Sequence, residues 1–288
     1  MTRSLRYRIG SKRVRVADWF AQRWAPSGPP RGEPRALVAG HFSFPNQGAT
    51  AGDLIACDVV CGWLREAGFE YDVAFAEPFA GGRDWHELDP REYSHVVWVC
   101  GPLGKGTDAF SRLRKRFPPD GRHWIGVDLS MIEPVEAWNP FDVLLERDSN
   151  RNKRADLAFA ADMNALPVIG LVQVESFTPL FPERDRQEDA RQAARRLAFA
   201  QPAAVVEIDT RLDVANASGL RTAGEVEALI GQMDVVVTTR LHGLVLALRH
   251  GVSAIAIDPV AGGDKITAQA RAVNWPVAFA STRRPMMS

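Results

Sequence analysis

Short apolar runs, each followed by a helix-forming stretch, recur in two cycles along this chain, and that alternation constrains its fold more than any other feature. Ala36–Ala39, Tyr71–Phe75, His95–Val99 and Trp124–Val127 read as strands, with helices beginning near Gly52 and Thr107 and a further short strand at Asp142–Leu145. A second cycle starts after Pro167. Val168–Val172, Ala204–Ile208, Val235–Val237 and Ala254–Ile257 read as strands; Glu188–Ala198, Ala223–Ile230 and the stretch holding Leu244–Leu248 read as helices. Strands alternating with helices predict an α/β fold with open parallel sheets covered on both faces. Two cycles predict two Rossmann-like domains, 35–166 and 167–288, with a hinge near 160–167. In such sheets ligands bind beyond the carboxyl ends of the strands, so the residues just after each strand are the first candidates for function.

Residues 1–34 read as an arm. Residues 1–35 carry nine Arg or Lys against only Asp18 and Glu33, and Ala25–Pro34 holds four prolines and two glycines, which predicts an extended linker. Val16, Trp19, Phe20 and Trp24 fit one face of a short helix. The arm is either a tail covering part of the domain or a basic, Trp-bearing stretch resting on a membrane surface. Formal net charge over the whole chain is zero, which gives a general nucleic-acid binder no support. No run of 18 apolar residues and no signal-peptide core occurs, and three cysteines are too few for a disulfide framework. The expected location is the cytoplasm, at the inner face of the membrane if the arm takes the second of these roles.

The turn at 238–243 carries the strongest chemical signal. Arg240 and His242 leave a strand end and enter a helix start, where free backbone N–H groups and partial positive charge favour an anion. A guanidinium adds a planar fork of donors suited to a carboxylate or phosphate. His242 can donate, accept or shuttle a proton, and Gly243 is expected to let a ligand approach the backbone. The alternative is a structural salt bridge for Arg240 and a satisfied core position for His242. His250, between Arg249 and Gly251, reads as structural, at a helix C-terminus before a glycine cap. After the next strand, Gly262-Gly263 suggest a backbone cradle, with Lys265 either adding charge to an anion site or solvated on the surface.

The loop Gly40–Asp53 offers His41, Ser43 and Asn46 as hydrogen-bonding partners for a sugar. Asp53 reads equally as a general base on a sugar hydroxyl and as the far end of a capping box begun by Thr50. Cys57 and Cys61, one helical turn apart among apolar residues, read as core. Lys105 is followed by glycine, so Gly101–Gly106 is not a nucleotide P-loop. With no Asp-x-Asp motif and no Cys/His cluster of ligand spacing, no metal and no cofactor is expected.

Thr239-Arg-Leu-His-Gly243, the Leu-Val-Leu-Ala-Leu after it, Gly251 through Asp258, the Gly-Gly-Asp-Lys stretch ending at Lys265, Gly52-Asp53, and Glu146-Arg-Asp-Ser149 together resemble the polysaccharide pyruvyl transferases over roughly residues 36–280. The resemblance implies a glycosyltransferase-B-like fold, two Rossmann-like domains facing a cleft. It implies phosphoenolpyruvate as donor and a glycan or lipid-linked oligosaccharide as acceptor. Arg240 and His242 match the family's donor-binding pair. On this basis His242 is the expected proton-transfer residue and Asp53 the acceptor base. Arg240, Leu241 and Lys265 are expected to bind the donor, and His41, Ser43 and Asn46 the acceptor. The chain departs from many relatives at Cys100–Gly106, where they carry a run of glycines. Two rivals share the fold: a nucleotide-sugar glycosyltransferase, disfavoured because no glutamate follows Glu227, and a non-catalytic glycan- or anion-binding member. Arg147-Asp148 reads either as an interdomain ion pair or as part of the cleft.

Overall fold

The computed structural model describes residues 34–163, 165–173 and 182–281. The basic arm, apart from Pro34, and its membrane role lie outside the described residues. These residues fall into two compact units that divide between Met163 and Asn164.

The first unit is built on six strands: β1 (Arg35–Gly40), β2 (Glu70–Val73), β3 (His95–Val99), β4 (Pro102–Leu103), β5 (His123–Met131) and β6 (Val143–Asp148). All pairings are parallel, in the order β2-β1-β3-β5, with β6 and the short β4 both paired to β5. Strand geometry sends alternate side chains to opposite faces, and β1 shows it. Ala36 and Val38 join one core layer, Leu37 and Ala39 the other, and all four are inaccessible. Helix α1 (Ala51–Glu66) covers the first layer with Ala56, Cys57, Val60, Cys61 and Leu64, a stripe at helical spacing. Both cysteines are therefore core residues, as their spacing predicts. Helix α2 (Asp108–Arg116) covers the second layer, where Phe110 sits edge-on to Trp98 at 5.2 Å and to Trp124 at 5.4 Å. The buried indole of Trp124 donates to the Phe117 carbonyl at 3.1 Å, whereas the buried indole N–H of Trp98 in the same layer has no hydrogen-bond partner among the described residues.

The second unit contains β7 (Val168–Val172), β8 (Ala204–Glu207), β9 (Val235–Thr238), β10 (Ser253–Asp258) and β11 (Ala278–Ala280), all parallel, in the order β11-β10-β9-β7-β8. Helix α3 (Gln187–Phe199) buries the small residues Ala190, Ala194 and Ala198, and packs the last two against Ile169, Leu171 and Val237, which brings its backbone close to the sheet. Helices α4 (Ala223–Ile230), α5 (Leu241–Arg249) and α6 (Lys265–Ala272) share the opposite face with Val236, Ala254 and Ala256. Helix α5 ends as its sequence predicts: the His250 amide bonds the Leu246 and Ala247 carbonyls, and Gly251 takes φ +72°.

Each sheet reverses its direction of growth beside its first strand, between β1 and β3 in one unit and between β7 and β9 in the other. Such a switch point leaves a crevice at the carboxyl ends of the two strands. Arg240 follows β9, and His41 follows β1.

Candidate functional site

In the second unit, Thr238 is the rivet under the turn. Wholly buried, its hydroxyl donates to the Arg240 carbonyl at 3.0 Å and accepts from the Arg240 amide at 2.9 Å. Helix α5 then descends directly onto the strand end. A Cβ on Gly243 would lie 2.2 Å from Thr238 Oγ1 and 3.0 Å from a Val172 methyl. This corrects one expectation: Gly243 is required by helix–strand packing and not by a ligand's approach to the backbone. Leu241 faces inward against the same core. The N-cap residue Arg240 makes no side-chain capping bond, so it leaves the first-turn amides of α5 to another acceptor. His242, on the first turn, is exposed.

Arg240 is mostly buried, its side chain 19% accessible. Its Nη1 donates to Thr210 Oγ1 at 3.3 Å and stands 3.5 Å from Asp209 Oδ1, in the loop after β8. Asp209 also lines a cavity of about 190 Å³ with Gln173, Arg191, Arg195 and Ser218. Neither Asp209 nor Thr210 carries a motif in the sequence. Only their position after a strand adjacent to β7 could have drawn notice.

The Gly262-Gly263 stretch is not a cradle. Five consecutive amides there are already used: Val260 by Asp258 Oδ1, Ala261 by the Arg184 carbonyl, Gly262 by Ser281, Gly263 by Val260, and Asp264 by Asp258 Oδ2. Asp258, 1% exposed, also accepts from the Thr267 amide and hydroxyl, both at 3.0 Å, and so occupies the N-terminus of α6. The glycines serve the turn, with φ of +81° and +84°. Lys265, first residue of α6, is exposed.

In the first unit, the loop after β1 is largely committed to the fold. Ser43, 1% exposed, donates to the Ala74 carbonyl at 2.5 Å and accepts from the Gly40 amide at 3.1 Å, which leaves its hydroxyl no role with a sugar. Asp53 Oδ2 accepts from the Thr50 amide at 2.6 Å and the Thr50 hydroxyl at 2.9 Å, the capping alternative of its two readings. Asn46 is exposed at φ +61°. His41 stands edge-on to Trp98 at 5.7 Å and lies so close to Gly101 that a Cβ there would meet its ring at 2.3 Å.

A cluster that the sequence revealed only in part, through Glu146-Arg-Asp-Ser149, lies at the ends of β3, β5 and β6. Asp128 takes φ +59° inside β5, where the β5–β6 register slips. It accepts from the Cys100 thiol at 3.5 Å and the Leu157 amide at 3.1 Å. Burial first, then the Asp156 carboxylate, pushes the Asp128 carboxyl up from its ordinary range. Arg147 donates to Ser130 Oγ at 2.6 Å, Asp156 at 2.8 Å and Asp148 at 3.1 Å. Among the described residues its ion pairs thus lie within its own unit. The preceding Glu146, wholly buried, is gripped by Arg151, Asn152 and Arg154. Burial pushes its carboxyl up, but those hydrogen bonds outweigh burial and hold it at about 2.

Compared with known proteins, residues 146–259 match the polysaccharide pyruvyl transferase family. The matched span contains Arg147, Asp209, Arg240 and His242; it excludes Lys265 and the loop from His41 to Asp53, and is narrower than the resemblance suggested. No curated protein matches the chain. A crystal structure of a functionally uncharacterised protein from Klebsiella pneumoniae aligns with 96% of this chain and 100% of its own, at 12% identity and a TM-score of 0.34, too low to carry any argument.

Proposed function

Proceeding from the family match over residues 146–259, we propose that the chain transfers pyruvate from phosphoenolpyruvate to a pair of glycan hydroxyls, forming a cyclic ketal. The observation that carries this reading is Arg240 at the switch point of the second sheet, the N-cap of a helix to which its side chain makes no capping bond. That combination suits a small, multiply charged anion.

Phosphoenolpyruvate offers a carboxylate and a phosphate. With its charge against Arg240 and the first amides of α5, protonation of the methylene carbon makes the adjacent carbon cation-like. A sugar hydroxyl adds there and loses its proton, phosphate departs, and the second hydroxyl closes the ketal and loses its own. His242, exposed on the first turn of α5, is the group we assign to proton transfer. Lys265, exposed at the start of α6, supplies charge to the departing phosphate. The second unit is the donor side and the first unit the acceptor side in the glycosyltransferase-B-like arrangement that the family resemblance implies. On the acceptor side, His41 and Asn46 keep their assignment to the sugar. Asp53 remains the proposed acceptor base through Oδ1, since the cap engages Oδ2.

Incubating the protein with phosphoenolpyruvate and candidate oligosaccharides tests this directly. Mass spectrometry should find the ketal, with one phosphate released per pyruvate transferred. His242→Asn should lower turnover by about a hundredfold while changing donor affinity little, the usual scale for a lost general acid or base. An equal loss in both would remove His242 from proton transfer.

A further inference from the structure

Arg240 is held from one side. Of its guanidinium nitrogens, Nη1 alone has a partner among the described residues, in Thr210 Oγ1 at 3.3 Å and Asp209 Oδ1 at 3.5 Å. A guanidinium presents two bidentate edges, and the Nε–Nη2 edge is the one that Nη1 contacts leave unspent.

The loop bearing Asp209 is itself locked by side chains. Asn216, 6% exposed, donates to the Asp209 carbonyl at 2.9 Å and the Arg211 carbonyl at 2.6 Å, while its Oδ1 accepts from the Leu220 amide at 3.0 Å. Ser218 Oγ accepts from the Asp209 amide at 2.7 Å, and Asp209 Oδ1 accepts from the Arg211 amide at 2.9 Å. Asp209 is 8% exposed. A buried carboxylate costs free energy unless it is paired and hydrogen-bonded, and here backbone, side chain and position are all fixed around one pairing, to Arg240. The bare stability of an α/β unit does not need such an arrangement at a strand's carboxyl end. A donor site does, because a flexible arginine loses conformational freedom when it grips an anion, and a pre-set one does not.

We infer that Asp209 is a positioning residue for the donor: through a loop locked by Asn216 it fixes Nη1 of Arg240 and reserves the Nε–Nη2 edge for two oxygens of a planar or tetrahedral anion. This rests on the donor-site reading above. It also specifies how the anion is met: side-on and bidentate, with Asp209 neutralising Arg240 while the site is empty.

Three variants separate position from charge. Asp209→Asn keeps an acceptor in place without charge; Asp209→Glu keeps the charge but displaces it; Asp209→Ala removes both. Losing the carboxylate that stands 3.5 Å from Nη1 frees the guanidinium to move, which predicts that Asp209→Ala raises KM for phosphoenolpyruvate by about tenfold or more, with kcat changed far less. Asp209→Asn should recover most of that loss and Asp209→Glu should not. A folded Asp209→Ala protein with unchanged KM overturns the proposal. If Asp209→Ala does not fold, the order of the other two decides, and Glu outperforming Asn overturns it. If wild type neither binds nor turns over phosphoenolpyruvate, the donor reading falls, and Asp209 is judged by nitrogen NMR of Arg240 in the free protein. Slow guanidinium rotation in wild type and Asp209→Asn, and fast rotation in Asp209→Glu, is then expected; equal rates in all three contradict the positioning role.

Discussion

His95 begins β3 at 3% exposure, stacked on His123 at 5.1 Å with its Nδ1 bonded to Ser94 Oγ at 2.8 Å. Burial, and then the charge of His123, lowers the His95 pKa to about 4, against a weak opposing pull from Asp142. The folded value is below the unfolded one, so the fold favours the neutral ring. The stability this represents is complete above the unfolded pKa of about 6.5 and is lost as pH falls towards 4, where the loss reaches about 3 kcal/mol. Urea midpoints should therefore fall between pH 7 and pH 5, and His95→Gln should flatten that slope. An unchanged slope in the variant would mean that other groups govern the acid limb. Single residues were also where the sequence was least informative. Arg240 could be picked out because a cation at a strand-to-helix turn has a recognisable setting. Asp209 and Asp128 could not, because what distinguishes them is a partner far away in sequence: Arg240 for one, Cys100 and Leu157 for the other. Ser43 looked like a sugar ligand because side-chain type alone cannot say whether a hydroxyl is spent on local backbone.

At the scale of elements, periodicity sufficed. The strands and helices expected from apolar runs are present, because each long run is buried on one or both faces and its pattern records that burial. The two strands it did not register are β4 and β11, of two and three residues, too short for any period to show. Element contacts, by contrast, explain glycines that looked functional. Gly243 lets α5 approach β9 closely enough for Thr238 to clasp the Arg240 backbone. Gly243→Ala would force a methyl to within 2.2 Å of Thr238 Oγ1, so α5 must shift away from the strand. The expected cost is about 1–3 kcal/mol, the usual scale of overpacking, together with weaker donor binding as Arg240 moves. A melting temperature and donor affinity both equal to wild type would show that the helix start yields freely and that the turn is not set by this contact.

For the whole molecule, the formal net charge is zero, so the proposal rests on where individual cations stand. Arg240, with Lys265 and the open amides of α5, is proposed to neutralise a leaving phosphate without a divalent ion, so activity should survive chelation. Among the described residues no helix is long and apolar enough to cross a membrane. The most direct test of the central proposal is calorimetry and thermal denaturation of the intact chain and of Arg240→Ala, each with phosphoenolpyruvate and with UDP- and GDP-sugars. At a hundred times its dissociation constant a ligand stabilises by about 2.7 kcal/mol, enough to read as a melting shift. The expected result is a shift with phosphoenolpyruvate in wild type, none in a folded Arg240→Ala, and none with sugar nucleotides in either. A shift with a sugar nucleotide and none with phosphoenolpyruvate would contradict the pyruvyl transferase proposal and favour a glycosyltransferase.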